Sequence, residues 1–187
     1  ILKTDRGMII TTHFLNKKIK SLAKNATTRE HCYRSMDDVR YVLIMCEARD
    51  WKAVEPCIDT LKKKGKTVHV CVYTRKDEDT PIWDYAFLPV EEGKDVDMWG
   101  FPDKNMRTQL NNLTVDLLLD LTSEEVPVMR YLMLQHPSSF KVGAKREEGL
   151  DLFDLSIVMK DDVHDIPFLF RHIMTYLEAI RSAKSAG

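Results

Sequence analysis

Tyr41-Val42-Leu43-Ile44-Met45-Cys46 and Asp116-Leu117-Leu118-Leu119-Asp120-Leu121 decide how this chain folds. Both runs are apolar without alternation, the second except for Asp116 and Asp120. A strand whose hydrophobicity is continuous is covered on both faces, as in a parallel sheet. Outward from the first run, Thr67–Tyr73 is a second strand, rich in β-branched Thr67, Val68, Val70 and Val72. Between them, Asp50–Lys64 reads as a helix. Asp50 stands where a cap belongs, Lys62–Lys64 sit at the negative end of the dipole, and Gly65 is the stop. Pro56 leaves two readings: a kinked first turn, or a regular helix that starts near Pro56. Strand, helix and strand within about 33 residues make a βαβ unit, whose crossover is right-handed.

The rest of the chain continues the alternation. Ala86–Val90 reads as a short strand, and Glu91–Pro102 as a loop holding Trp99 and Phe101. Asp103 caps a helix to about Leu113. The strand over Val115–Leu121 follows, then a helix with Pro127 in its first turn, ended by His136-Pro137. Phe140–Val142 is a short strand closed by Gly143, Ala144–Asp151 a loop, and Leu155–Met159 a sixth strand. Asp165 caps a last helix to about Ala183, with Phe168, Ile173, Leu177 and Ile180 as its buried stripe. Strands alternating with helices define an α/β protein. The expected architecture is a three-layer, Rossmann-like sandwich with a mainly parallel sheet of about five to six strands, preceded by an amphipathic helix.

That first helix spans Met8–Lys24, with Met8, Leu15, Ile19 and Leu22 as its apolar stripe and Lys17, Lys18, Lys20 and Lys24 on the remaining surface. Residues 1–34 carry eight Lys/Arg against two acids, a charge of +6, while the remainder holds 20 basic and 27 acidic residues, a charge of −7. The expected division is a basic helix and connection over 1–38 and a single α/β domain over 39–187. The arm is expected to pack on the acidic body. The alternative is a contact with phosphates of a membrane surface or nucleic acid, the latter not favoured.

The 187 residues are 44% hydrophobic and 30% charged, with 7 Gly and 7 Pro, which excludes collagen-like, low-complexity and disulfide-scaffold chains. No apolar run approaches the ~18 residues of a membrane span. The polar, basic start lacks the apolar stretch of a secretory signal. Of Cys32, Cys46, Cys57 and Cys71, none forms a CxxC pair and three lie in apolar segments. Four free structural thiols and a cytoplasmic, reducing location are the expectation.

The segments Asp116-Leu117-Leu118-Leu119-Asp120-Leu121-Thr122, Pro127–Leu134 and Phe140-Lys141-Val142-Gly143 resemble an uncharacterised bacterial family of small single-domain α/β proteins. Val42–Met45, Gly65-Lys66-Thr67 and Phe153-Asp154 fit it too, so the resemblance runs from about Phe14 onward. It implies a fold but no activity. A more distant likeness is to the N-terminal half of GT-B glycosyltransferases of the heptosyltransferase type, which also show a strand ending in Asp, a helix, and a short strand ending in Gly. Those enzymes need a second Rossmann-like domain for the nucleotide sugar, so glycosyl transfer by these residues alone is not expected.

Parallel sheets bind ligands beyond the carboxyl ends of their strands, where strand order switches. That edge is expected to carry Glu47, Arg49 and Asp50, then Tyr73, Thr74 and Arg75, then Asp120, Thr122 and Ser123. Glu47 and Asp120 are candidates for paired carboxylates, and Arg49 and Arg75 for anion contacts. The plain alternative is a set of solvated strand ends. No glycine follows the first strand, and GxxxxGK[ST], GxSxG and HExxH are absent, so no dinucleotide, P-loop, hydrolase-elbow or zincin site is indicated. His69, inside the second strand, reads as an interior, hydrogen-bonded histidine. His164 and His172, beside Asp161, Asp162 and Asp165, read as part of a capping turn rather than a metal site. No cofactor is expected. The leading expectation is a non-catalytic α/β domain that binds a small anionic ligand or a protein, with homo-oligomerisation left open. The rival is a small transferase or hydrolase using Glu47 and Asp120.

Overall fold

A computed structural model of the chain describes residues 4–26, 32–78, 87–146, 152–159 and 165–180, with side chains at 4–12 and 26 excepted. The element order is α1 (Thr4–Ala26), β1 (Tyr41–Glu47), α2 (Trp51–Lys63), β2 (Thr67–Thr74), β3 (Phe87–Glu91), α3 (Lys104–Asn111), β4 (Leu117–Asp120), α4 (Pro127–Gln135), β5 (Phe140–Lys145), β6 (Leu155–Val158) and α5 (Ile166–Ala179). The six strands form one sheet in the order β3-β2-β1-β4-β5-β6, and every neighbouring pair is parallel. This is the doubly wound order, and it reverses between β1 and β4.

The sheet is covered on both sides, as the two unalternating runs require. Val42, Ile44, Cys46, Leu117, Leu119 and Leu121 face one core, which is filled from α2 and α5 by residues such as Ile58, Leu61, Ile173 and Leu177. Leu43, Met45, Cys71 and Leu118 face the other, filled from α3 and α4 by Met106, Leu110, Met129 and Leu132. Alternate residues of each strand point to opposite faces. Glu47 and Asp120 therefore share the parity of Leu43, Met45 and Leu118, on the α3/α4 side. The lower end of the β1/β4 pair is pinned by Asp116, whose Oδ2 accepts from the Arg40 and Tyr41 amides at 2.8 and 3.0 Å.

The N-terminal helix lies against α4. Leu15 and Ile19 are buried with Tyr131, and Leu22, Phe101 and Leu134 pack around them. The apolar stripe expected for this helix is thus spent on the body for all members whose side chains are described; Met8 is not among these.

Several local expectations need correction. Helix α2 begins five residues before Pro56 and continues through it, so the later start does not apply. Asp50 occupies the cap position of α2, but its side chain makes no capping hydrogen bond. Gly143 does not close β5, which runs on to Lys145. A Cβ at this glycine would lie 2.6 Å from Cε1 of the Phe153 ring, so the residue is selected by packing. Phe168 lies outside the buried stripe of α5, whose buried members are Ile166, Leu169, Phe170, Ile173, Met174 and Leu177. Asp103 and Asp165 do cap their helices, accepting from the Met106 and Phe168 amides at 2.8 and 2.9 Å. His69 is only half-buried rather than interior. Helix α5 ends at Ala179, short of the expected Ala183, and the expected readings for Ala86 and His164 fall outside the described residues.

Candidate functional site

The chain's charged groups converge at the carboxyl end of β1, where strand order reverses. Glu47, the last residue of β1, is 1% exposed. Its Oε1 receives Nη2 of Arg49 at 3.2 Å, from the 3-10 turn that follows, and its Oε2 receives Nη2 of Arg75 at 3.2 Å, from beyond β2. The loop after β4 closes the arrangement: the Ser123 hydroxyl and the Glu124 amide reach Oε1 at 3.4 and 3.3 Å. A buried carboxylate costs heavily unless it is paired and hydrogen-bonded. Here three separate segments supply that pairing.

The same guanidinium groups meet a second carboxylate on their outer side. Oε2 of Glu124 lies 3.0 Å from Arg49 Nη2 and 2.9 Å from Arg75 Nη2, so two arginines clamp one oxygen. Glu124 is half-exposed, whereas Glu47 is sealed. Burial opposes the charge on both arginines. For Arg49 the hydrogen bond to Glu124 and the charge of Glu47 outweigh it, and for Arg75 the hydrogen bond to Glu47 does so, which leaves both raised above the ordinary value. The Glu124 carboxyl is held below its usual value, first by the hydrogen bond from Arg49 and then by that arginine's charge.

Of the residues expected at this edge, Glu47, Arg49, Arg75 and Ser123 form one network. Asp120 and Thr122 form a neighbouring one. Asp120 Oδ1 accepts from the Thr122 amide at 3.0 Å and its hydroxyl at 2.7 Å, and Arg146, from the end of β5, donates to the Thr122 carbonyl. Glu47 and Asp120 are thus held by different partners, one by arginines and one by a tight turn, rather than by each other. Asp50 Oδ2, Thr74 Oγ1 and Arg75 Nε are buried without a hydrogen-bond partner among the described residues. Tyr73 is pushed up to about 12 by burial and then by Glu92, so its hydroxyl stays protonated.

Three residues went unread in the sequence. Glu124 lies in the polar stretch Ser123-Glu124-Glu125, and Arg146 begins a charged one; neither pattern differs from a solvated loop. In the sequence, His136 marks no more than a helix stop. It is the buried histidine of the described chain: Nε2 lies 3.1 Å from the Leu110 carbonyl and Nδ1 accepts from the Ser138 amide at 3.1 Å. Burial, then the charge of Lys141, lowers it to about 4, so the ring is neutral. Among the described residues no group of three or more His, Cys, Asp and Glu is placed to hold a metal ion. Nor is any described helix long and apolar enough to cross a membrane.

Fold and site together define a doubly wound α/β protein whose strand-order switch is occupied by an arginine–carboxylate network. The chain belongs to the family of unknown function DUF6913, which matches residues 12–180. No curated protein and no solved structure matches it, so the glycosyltransferase likeness has no comparison behind it.

Proposed function

We propose that this is a Rossmann-like binding domain whose β1/β4 switch takes a small anionic ligand, a carboxylate or phosphate group, between Arg49 and Arg75. The observation that carries the reading is the two-arginine clamp on a single exposed carboxylate oxygen of Glu124. Arginine presents fixed N–H donors suited to carboxylate and phosphate oxygens. Glu47 holds both guanidinium groups from the buried side, so they stay in place when the outer carboxylate leaves. Glu124 sits on the loop ahead of α4 and is the mobile partner in this scheme: an incoming anion replaces its carboxylate. The neighbouring orphan hydroxyl of Thr74 and Nε of Arg75 are further donors at this edge. Three buried thiols fit a reducing, cytoplasmic setting.

The test is an NMR titration with inorganic phosphate and, separately, with succinate. Shifts centred on Arg49, Arg75 and residues 122–126, lost in Arg75→Gln, are expected, and the stronger of the two titrations names the anion class. Shifts scattered over surface lysines and unchanged in Arg75→Gln would overturn the reading. An enzymatic role for Glu47 as general base has less support, because both its oxygens are already engaged by cations.

A further inference from the structure

We propose that the face formed by α1 and the β3–α3 loop docks on an anionic phospholipid surface. Two segments distant in sequence build it. From α1 come Phe14, Lys17, Lys18 and Ser21; from the loop come Trp99 and Phe101. Together they line an open groove of about 590 Å³. Phe101 is tucked against Tyr131, ring centroids 5.4 Å apart, and anchors the loop on α4. Beyond that anchor the apolar side chains turn outward: Met98 is 77% exposed, Trp99 46% and Phe14 51%. Phe14 and Trp99 meet edge to face at 5.8 Å, so they form one ridge.

The charge of this face is what selects the occupant. The loop is rich in acids by sequence, and each has a partner: Glu91 pairs with Lys94 at 2.9 Å, Glu92 accepts from the Lys76 amide at 3.2 Å, and Asp95 and Asp97 accept from nearby amides. Asp97 Oδ1 accepts from the Trp99 and Phe101 amides at 2.8 and 2.9 Å, and Asp95 Oδ2 from the Glu91 amide at 2.9 Å. The charged side chains that line the groove are Lys17 and Lys18. A protruding Met-Trp tip beside a second aromatic, flanked by lysines whose stems reach past apolar surface, is the pattern of an interfacial anchor: rings at the headgroup level and cations on lipid phosphates. An acidic protein would satisfy the lysines but leaves the ridge asking for a matching pocket. Nucleic acid would satisfy the lysines without a use for Met98.

The experiment is co-sedimentation of the full chain with phosphatidylcholine vesicles and with vesicles containing about 30% phosphatidylserine. Binding to the anionic vesicles only, weakening as salt rises, is expected. Lys17→Gln with Lys18→Gln should weaken it roughly thirtyfold, from the loss of two cations near the surface. Met98→Ser with Trp99→Ser should weaken it at least about tenfold through lost apolar burial. Circular dichroism confirms folding, and Met98→Ser alone, at a side chain exposed in the monomer, gives a variant that leaves the Phe14–Trp99 contact intact. Failure of the wild type to sediment with anionic vesicles, binding by both double variants as tight as that of the wild type, or a dimer in solution that Trp99→Ser dissolves would each overturn the proposal. Anion binding between Arg49 and Arg75 is read out separately and is untouched by either result.

Discussion

Arg75 Nη2 stands between two carboxylates, 3.2 Å from Oε2 of buried Glu47 and 2.9 Å from Oε2 of exposed Glu124. One guanidinium nitrogen thereby joins the end of β2 to the end of β1 and to the loop after β4. The sealed carboxylate sets the position of the arginine, and the exposed one covers it.

Removing the sealed carboxylate tests this division. Glu47→Gln keeps the volume and loses the charge, leaving two guanidinium groups with one shared, solvated partner. The expected cost is about 1–3 kcal/mol in a urea melt, because the arginines retain partial access to water. Glu124→Gln, on the open side, is expected to cost less than about 1 kcal/mol. Equal costs for the two would mean that burial does not distinguish them.

Leu118 is fully buried in β4 between β1 and β5. Leu118→Ala should destabilise by about 2–5 kcal/mol, since the close-packed α3/α4 core cannot collapse fully into the space. A loss below about 1 kcal/mol by urea denaturation would contradict a central position for this strand.

His136 makes stability depend on pH. Its folded value is lowered to about 4, while the unfolded chain titrates near the ordinary 6.5. Between those values the unfolded state holds the extra proton, so stability rises with pH and falls as the solution is acidified from about 6.5 toward 4. The slope from this one group approaches about 1.4 kcal/mol per pH unit. Urea melts across this range should show that slope in the wild type and lose it in His136→Gln. An identical pH profile in the variant would contradict a buried neutral ring.

The thiols divide by position. Cys46, Cys57 and Cys71 are buried, and burial pushes Cys57 to about 11 and Cys71 to about 12, while Cys32 is exposed. A thiol reagent should titrate one equivalent quickly in the native protein and four after denaturation. Fast reaction of two or more native thiols would contradict the packing of β1, α2 or β2.

The sheet was legible because its signals are local. Tyr41–Cys46 and Leu117–Leu119 carry unbroken hydrophobicity, and Asp103, Pro127 and Asp165 mark helix starts through capping and ring geometry. The errors arose where tertiary contact decides. Gly143 looks like a terminator until the ring of Phe153 is seen over it, and Asp50 looks like a cap until its side chain is found to make no capping hydrogen bond. At the site, Glu47, Arg49, Arg75 and Ser123 follow from the rule that strand ends gather at the order switch. Glu124 does not, because nothing in Ser123-Glu124-Glu125 says which acid turns inward. Only the folded positions of both arginines select it.

In the proposed binding mode, Glu124 occupies a place that an external anion can take. Isothermal titration of inorganic phosphate and succinate into the wild type, Glu124→Gln and Arg75→Gln at low ionic strength tests it most directly. Glu124→Gln is expected to bind the preferred anion at least about tenfold more tightly than the wild type, since a competing charge-assisted contact is gone, and Arg75→Gln to bind neither. Unchanged or weaker binding in Glu124→Gln, with all three proteins folded, would contradict it.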